Sequence, residues 1–371
     1  MSASAPTGHE VLTQGFSEEF NMARQSRYAA IVAASLAILG VTPVEAQQKT
    51  VNLMAYAGVF QDLYDKAVVQ PFMKANPDIK VNFIPVVFSG QMLGQLRAQK
   101  AAPQVDAVIM DIGVSKSATD EELFEKITEA EVPNIKDLHK LARHPRVAGV
   151  GVTFDNVVLL YDSQAIKEPP QSWYVLGDKQ YAGKVVIDAA PKLQGTSLTF
   201  ILDWAAGGKD PVRNFDKGIE EMKKIAPGVQ TWDPKPEPYI PVMNGQAVLG
   251  IGYNARAQYY SDQSKGRMKV TVPKEGTVFQ INSINLVKGA PNKDAALQFI
   301  NYALGPQAQK DFAELMFYAP TNVNASVSPE ALLRTVVGQM DRVIPIDWVE
   351  YAKVRDKLDE AWRRQVIPLS Q

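Results

Sequence analysis

From residue 50 onward the chain alternates short apolar runs with amphipathic stretches. Residues 50–55 (TVNLMA) predict a strand, and residues 61–75 set Leu63, Ala67 and Phe72 at helical spacing, with Pro71 placed to kink or divide the helix. Residues 80–87 return as a strand, 91–101 as a helix, and 105–110 (VDAVIM) as a buried strand. Strands separated by helices imply a parallel α/β sheet. Such sheets place ligands beyond the carboxyl ends of their strands, so residues 56–58 and 111–113 are expected to share one rim.

A second series starts near Gly149-Val150-Gly151-Val152, read as glycine punctuation ahead of a strand at 156–161. Alternating elements follow at 184–188, 196–206, 215–225, 247–253, 256–261 and 268–272. Residues 276–283 are expected to cross back. The remainder predicts helices at 293–304, 307–316, 329–340 and 348–365, the last amphipathic and expected to brace the first lobe. The fold class is therefore α/β, with two lobes joined by a two-segment hinge and a ligand cleft between them. Residues 47–150 and 280–371 are assigned to lobe 1 and 151–279 to lobe 2. Nothing recurs at a period of about 20–50 residues, which removes solenoids.

The longest apolar run, residues 28–41 (YAAIVAASLAILGV), is shorter than the about 20 residues a membrane span needs. Arg24 and Arg27 precede it, and Thr42-Pro43-Val44-Glu45-Ala46 follows with small residues at the −3 and −1 positions of a signal peptidase site. Cleavage is expected after Ala46. Residues 22–46 then form the signal peptide, and residues 1–21 an upstream extension that is not native. The chain has no cysteine, which excludes disulfides, thiolate chemistry and a lipidated-cysteine anchor, so a soluble periplasmic product is expected. Thirty-nine basic residues against 40 acidic ones leave a formal charge of −1 and no basic field for nucleic acid.

Seven fragments point to a family. They are Pro170-Gln171-Ser172-Trp173, Tyr181-Ala182-Gly183-Lys184-Val185, Met243-Asn244-Gly245-Gln246-Ala247, Gly252-Tyr253-Asn254-Ala255-Arg256-Ala257, Val272-Pro273-Lys274-Glu275-Gly276, Ala295-Ala296-Leu297-Gln298-Phe299-Ile300-Asn301 and Tyr318-Ala319-Pro320-Thr321-Asn322. In this order the chain resembles bacterial extracellular solute-binding proteins of the spermidine/putrescine-binding type. The resemblance implies a type II periplasmic-binding fold and delivery of a small polar organic ligand to the membrane permease of an ABC importer. No cofactor and a monomer are expected.

Polyamine binders of this kind hold a cation by aromatic faces and carboxylates. By resemblance Tyr56, Tyr253 and Tyr318 are the pocket aromatics, with ordinary packing as the alternative for each. Asp111 stands at a strand end, facing an ammonium group or capping a turn. The departure is at Asn282, where polyamine members carry a carboxylate, and at Gln280, near which they carry an aromatic. A compensating anion site is expected at Thr196 and Ser197, which open a predicted helix, and at Arg256, with an N-cap and a surface ion pair as the respective alternatives. Trp232, beside Asp233, is placed in a Pro-rich loop facing the cleft. The solute is then a polyamine or a zwitterion such as an amino acid, opine or aminophosphonate.

Two other functions compete. A ferric-ion carrier of the same fold uses adjacent tyrosinates, for which Tyr259-Tyr260 is the candidate pair. A periplasmic enzyme needs a catalytic motif, and none of G-x-S-x-G, H-E-x-x-H, a P-loop or a complete G-x-G-x-x-G occurs. His139 and His144, five apart, fall on different sides of any helix and do not suit a metal pair.

Overall fold

The computed structural model describes residues 48–370 except residue 352; the expected leader and its cleavage point lie outside the described residues. Among the described residues twelve strands follow in chain order: β1 (Lys49–Tyr56), β2 (Ile79–Val86), β3 (Ala107–Asp111), β4 (Phe124–Glu125), β5 (Val150–Asp162), β6 (Val185–Val186), β7 (Val229–Thr231), β8 (Leu249–Tyr253), β9 (Met268–Thr271), β10 (Thr277–Val287), β11 (Ala319–Pro320) and β12 (Val343–Ile344). They hydrogen-bond in the order β2-β1-β3-β10-β5-β8-β6-β7. β1 is parallel to β2 and β3, and β6 is parallel to β7 and β8. β10 and β5 run antiparallel to each other and to the flanking parallel sets.

Each of these two long strands changes partners along its length. β5 pairs with β10 through Val150 to Asn156 and then with β8 through Val157 to Tyr161. β10 faces β5 at Phe279 to Ile284 and β3 at Asn282 to Leu286. The Gly149-to-Val152 segment was expected to break the chain ahead of its strand, yet Val150 to Val152 lie inside β5. A Cβ at Gly151 would stand 3.0 Å from Ala142 and Ile281, so glycine there permits close packing against strand and loop.

Two principal cores flank the crossing. One gathers Phe60, Tyr64, Phe72, Phe299, Phe312 and Tyr318 around β1 and β3. The other gathers Trp173, Phe200, Phe215, Ile251 and Trp362 around β8 and the helix Leu193–Ala205. The expected kink near Pro71 is present as a π-turn, Asp65–Val69, immediately before the helix Gln70–Ala75. The wider turn accommodates the proline's missing N–H.

The C-terminal stretch departs from expectation twice. Rather than one helix it is divided into Trp348–Tyr351, Arg355–Ala361 and a π-turn at Trp362–Val366. It also packs on the second core and not the first. Trp362 is fully buried, donates from Nε1 to Thr199 Oγ1 at 3.0 Å and meets Trp232 edge-on at 5.2 Å. A large indole with a buried donor must find both an apolar slot and an acceptor, and this core supplies both.

Candidate functional site

The carboxyl ends of β1, β3 and β8 open onto one cavity of about 330 Å³, with Gln280 and Ile281 of β10 also on its wall. β1 stops at Tyr56, and Gly58 at φ +71° turns the chain into the helix Val59–Tyr64, a conformation strained for any side chain. Val157, Leu159 and Tyr161 of β5 pair with Tyr253, Ile251 and Leu249, which fixes where β8 ends and puts Tyr253 on the opposite wall.

Asp111 occupies the N-cap position of the helix Ile112–Asp120, but its side chain makes no capping bond. Instead Oδ2 accepts from Ser89 Oγ at 2.6 Å and Oδ1 from Gln280 Nε2 at 2.6 Å. Ser89 Oγ also lies 2.9 Å from Tyr56 Oη, which donates to Asn282 Oδ1 at 3.0 Å, and Asn282 Nδ2 donates to Thr153 Oγ1 at 2.9 Å. Burial pushes the Asp111 carboxyl above its ordinary value, while the bonds from Ser89 and Gln280, the neighbouring Tyr56 hydroxyl and the charge on Arg355 pull it down. No cation lies within ion-pair distance of Asp111 among the described residues. A buried carboxylate oriented by neutral donors at a cavity wall is a receptor for a positive group.

Arg256 ion-pairs with Glu237 and donates from Nη2 to the Ala57 carbonyl at 3.2 Å, beyond the end of β1. Burial works against the Arg256 charge, but Glu237 and the surrounding tyrosines outweigh it and hold the guanidinium above its usual range. Lys192 bridges Asp188 at 2.5 Å and Asp233 at 2.7 Å. The cavity wall therefore carries three carboxylates, Asp111, Asp188 and Glu237, against three cations, Lys192, Arg256 and Arg355. Tyr318 stacks on Phe312 with centroids 5.3 Å apart, and Tyr253, Trp348 and Tyr351 supply further aromatic wall. Such a lining holds a small molecule that is partly apolar and carries charge at defined points.

The family model of bacterial extracellular solute-binding proteins matches residues 67–332. The chain belongs to that family. The gamma-aminobutyric acid-binding protein of Pseudomonas aeruginosa is 23% identical over 339 residues, covering 86% of this chain and 92% of that protein. The spermidine/putrescine-binding periplasmic protein of Salmonella typhimurium is 31% identical over 162 residues, 43% of this chain and 45% of that one. The solved ABC transporter substrate-binding protein of Bradyrhizobium japonicum has a TM-score of 0.73 at 18% identity, covering 85% of this chain and 98% of that one. The periplasmic-binding fold expected from the sequence is thus the fold of this protein, and its role is to bind a solute.

Of the residues singled out from the sequence, Tyr56, Asp111, Tyr253, Arg256 and Tyr318 meet at the cavity. Asn282 is 1% exposed and sits behind Tyr56, so it orients that ring without lining the cavity. Thr196 and Ser197 are buried in the helix Leu193–Ala205, which starts earlier than expected. Thr196 Oγ1 faces Tyr351 Oη at 3.3 Å, and the cavity is lined by Leu193 and Gln194 in their place. Trp232, expected at the cleft, donates to Ser370 Oγ at 2.9 Å and packs on Trp362.

Tyr260 stacks on Tyr239 at 5.1 Å, and burial pushes its hydroxyl up to about 12, which opposes a tyrosinate. Neither Tyr259 nor Tyr260 lines the cavity. His139 accepts from Leu141 N at 3.3 Å in a short loop turn and, like His144, is away from the cavity wall. Sequence reasoning missed Ser89, Glu237, Trp348, Tyr351 and Arg355. The last three stand at i, i+3 and i+7, a spacing that marks one helical face and was the available signal.

Proposed function

We propose that this protein is the periplasmic capture component of an ABC importer and that its solute is a small amine-bearing molecule. The leader is removed after Ala46, and the soluble monomer hands its solute to a membrane permease without chemical change. One lobe comprises residues 48–150 and 280–342 and the other residues 151–279, to which, in a change from the expected division, the C-terminal segment from Val343 is added, with β5 and β10 as the two hinge segments. The separate cores on either side of those strands support this division. Solute contacts from Asp111 and Tyr56 on one side and Tyr253 on the other favour the closed form, because they exist together only when the lobes meet.

The observation that carries the reading is the Asp111 carboxylate, held by Ser89 and Gln280 at the end of β3 with aromatic rings beside it and no cation in contact among the described residues. An ammonium group gains from both features once water is expelled. The names of the relatives that bind gamma-aminobutyric acid and spermidine or putrescine agree with an amine. A ligand that binds only the native state raises the melting temperature, by the equivalent of about 2.7 kcal/mol at a hundredfold excess over Kd. A thermal-shift screen of amines against sugars and carboxylic acids of matched size tests the reading. Stabilisation confined to amines is expected, and stabilisation by sugars or simple acids alone contradicts it.

A further inference from the structure

Arg355 is the charged group on the cavity wall that the amine reading leaves without a task. Lys192 and Arg256 each have a carboxylate within hydrogen-bond range, whereas among the described residues Arg355 has an ion-pair partner only in Asp359, whose Oδ2 lies 3.9 Å away. The side chain is about one-third exposed and reaches toward the start of the helix Ser89–Ala98, where its Nη2 lies 3.6 Å from the position a Gly90 Cβ would take. Ser89, the adjacent residue, is the one that holds Asp111. A guanidinium and an uncompensated carboxylate thus flank the same turn without touching each other. A guanidinium presents a planar fork of donors that matches a carboxylate in two-point contact.

Charge counting separates the candidate solutes. Glu237 is matched by Arg256 and Asp188 by Lys192, which leaves Asp111 and Arg355 as the two wall charges without a hydrogen-bonded counter-charge, Arg355 having only the loose Asp359 contact at 3.9 Å. A diamine or triamine would bring two or three positive charges to one open carboxylate and set one of them beside Arg355, a repulsion that costs affinity in a desolvated cleft. A zwitterion answers both charges. Resting on the amine reading, we infer that Arg355 forms an anion subsite for the carboxylate of a short amino acid whose ammonium group lies at Asp111. A phosphonate carries more than one negative charge near neutral pH and would overfill a wall otherwise balanced three against three.

The test is calorimetric titration of the full mature protein with two matched series, the ω-amino acids from β-alanine to 6-aminohexanoate and the α,ω-diamines of equal length, with n-butylamine as the cation-only probe. At least one ω-amino acid is expected to bind about tenfold or more tightly than the diamine of its length. Arg355→Gln is expected to weaken that amino acid by about 10- to 100-fold, the loss of one charge-assisted contact, and to leave n-butylamine unchanged. Arg355→Lys, which keeps the charge but not the fork, should recover part of the loss. Diamines binding more tightly than amino acids, or equal amino-acid affinity in Arg355→Gln, overturns the anion subsite while leaving the amine reading standing. Binding by neither series overturns both.

Discussion

Tyr56 Oη donates to Asn282 Oδ1 at 3.0 Å across 226 residues of chain, tying the carboxyl end of β1 to the strand that returns between the lobes. Asn282 is buried and its amide is used at both ends, by Tyr56 and by Thr153. Asn282→Ala leaves two buried hydroxyls short of a partner. A loss of about 1–3 kcal/mol in urea unfolding is expected, with weaker solute binding because the Tyr56 ring is released. Unchanged stability would show that water replaces the amide without penalty.

Arg256 and Glu237 form a partly buried pair on one wall, and Arg256 also reaches the Ala57 carbonyl of the other. Arg256→Met alone strands the Glu237 carboxylate, whose Oε2 already has no partner. A destabilisation of about 1–3 kcal/mol is expected, and the double variant Arg256→Met with Glu237→Leu should regain most of it. Solute affinity should stay reduced in both, because the contact with Ala57 is absent in each. Additive losses of stability in the double variant would contradict the pairing.

Asp155 of β5 lies opposite Gln280 of β10 and accepts from Asn156 N at 2.9 Å and Ala255 N at 3.1 Å. Burial pushes its carboxyl up to about 8, against those two N–H groups and the charge on Arg256. Between an unfolded value of about 3.9 and the folded one the native state binds the extra proton. Its contribution is therefore greatest below that window and is lost as pH rises toward 8. From pH 5 to pH 8 the solute-free protein should lose on the order of 2–4 kcal/mol more stability than Asp155→Asn, measured by urea unfolding at each pH. Parallel pH profiles for the two proteins would place the proton elsewhere.

Trp362 anchors the C-terminal segment in the second core through Thr199 and Trp232. Trp362→Ala should cost about 3–5 kcal/mol, and Trp362→Phe less, since a six-membered ring still fills part of the slot although the N–H and the rest of the indole are lost. Because Trp348, Tyr351 and Arg355 ride on the same segment, solute affinity should fall with Trp362→Ala although this residue does not line the cavity. Retained affinity would show that the segment docks independently of its tryptophan.

The parts of the site readable from the chain are those set by local pattern. Tyr56 and Asp111 end strands whose apolar runs are clear, and the strand ends of an α/β sheet define the rim. Thr196 and Ser197 were misplaced because the helix begins after Lys192, whose side chain makes no capping bond, so no cap signal marks the true start. Trp232 was misplaced because its partner is Trp362, a pairing that periodicity within either segment cannot encode. Arg355 had a visible face but no visible destination, since the segment's course over the second core follows from side-chain fit between distant parts of the chain.

The most direct test is calorimetric titration of the wild type and Asp111→Asn with the amine that binds the wild type most tightly. Asparagine keeps the shape and the acceptor oxygen at Oδ1 but removes the charge, so an affinity about 10- to 100-fold lower with a preserved melting temperature is expected. Equal affinity for the two proteins would mean that the solute's positive group is not held at the end of β3.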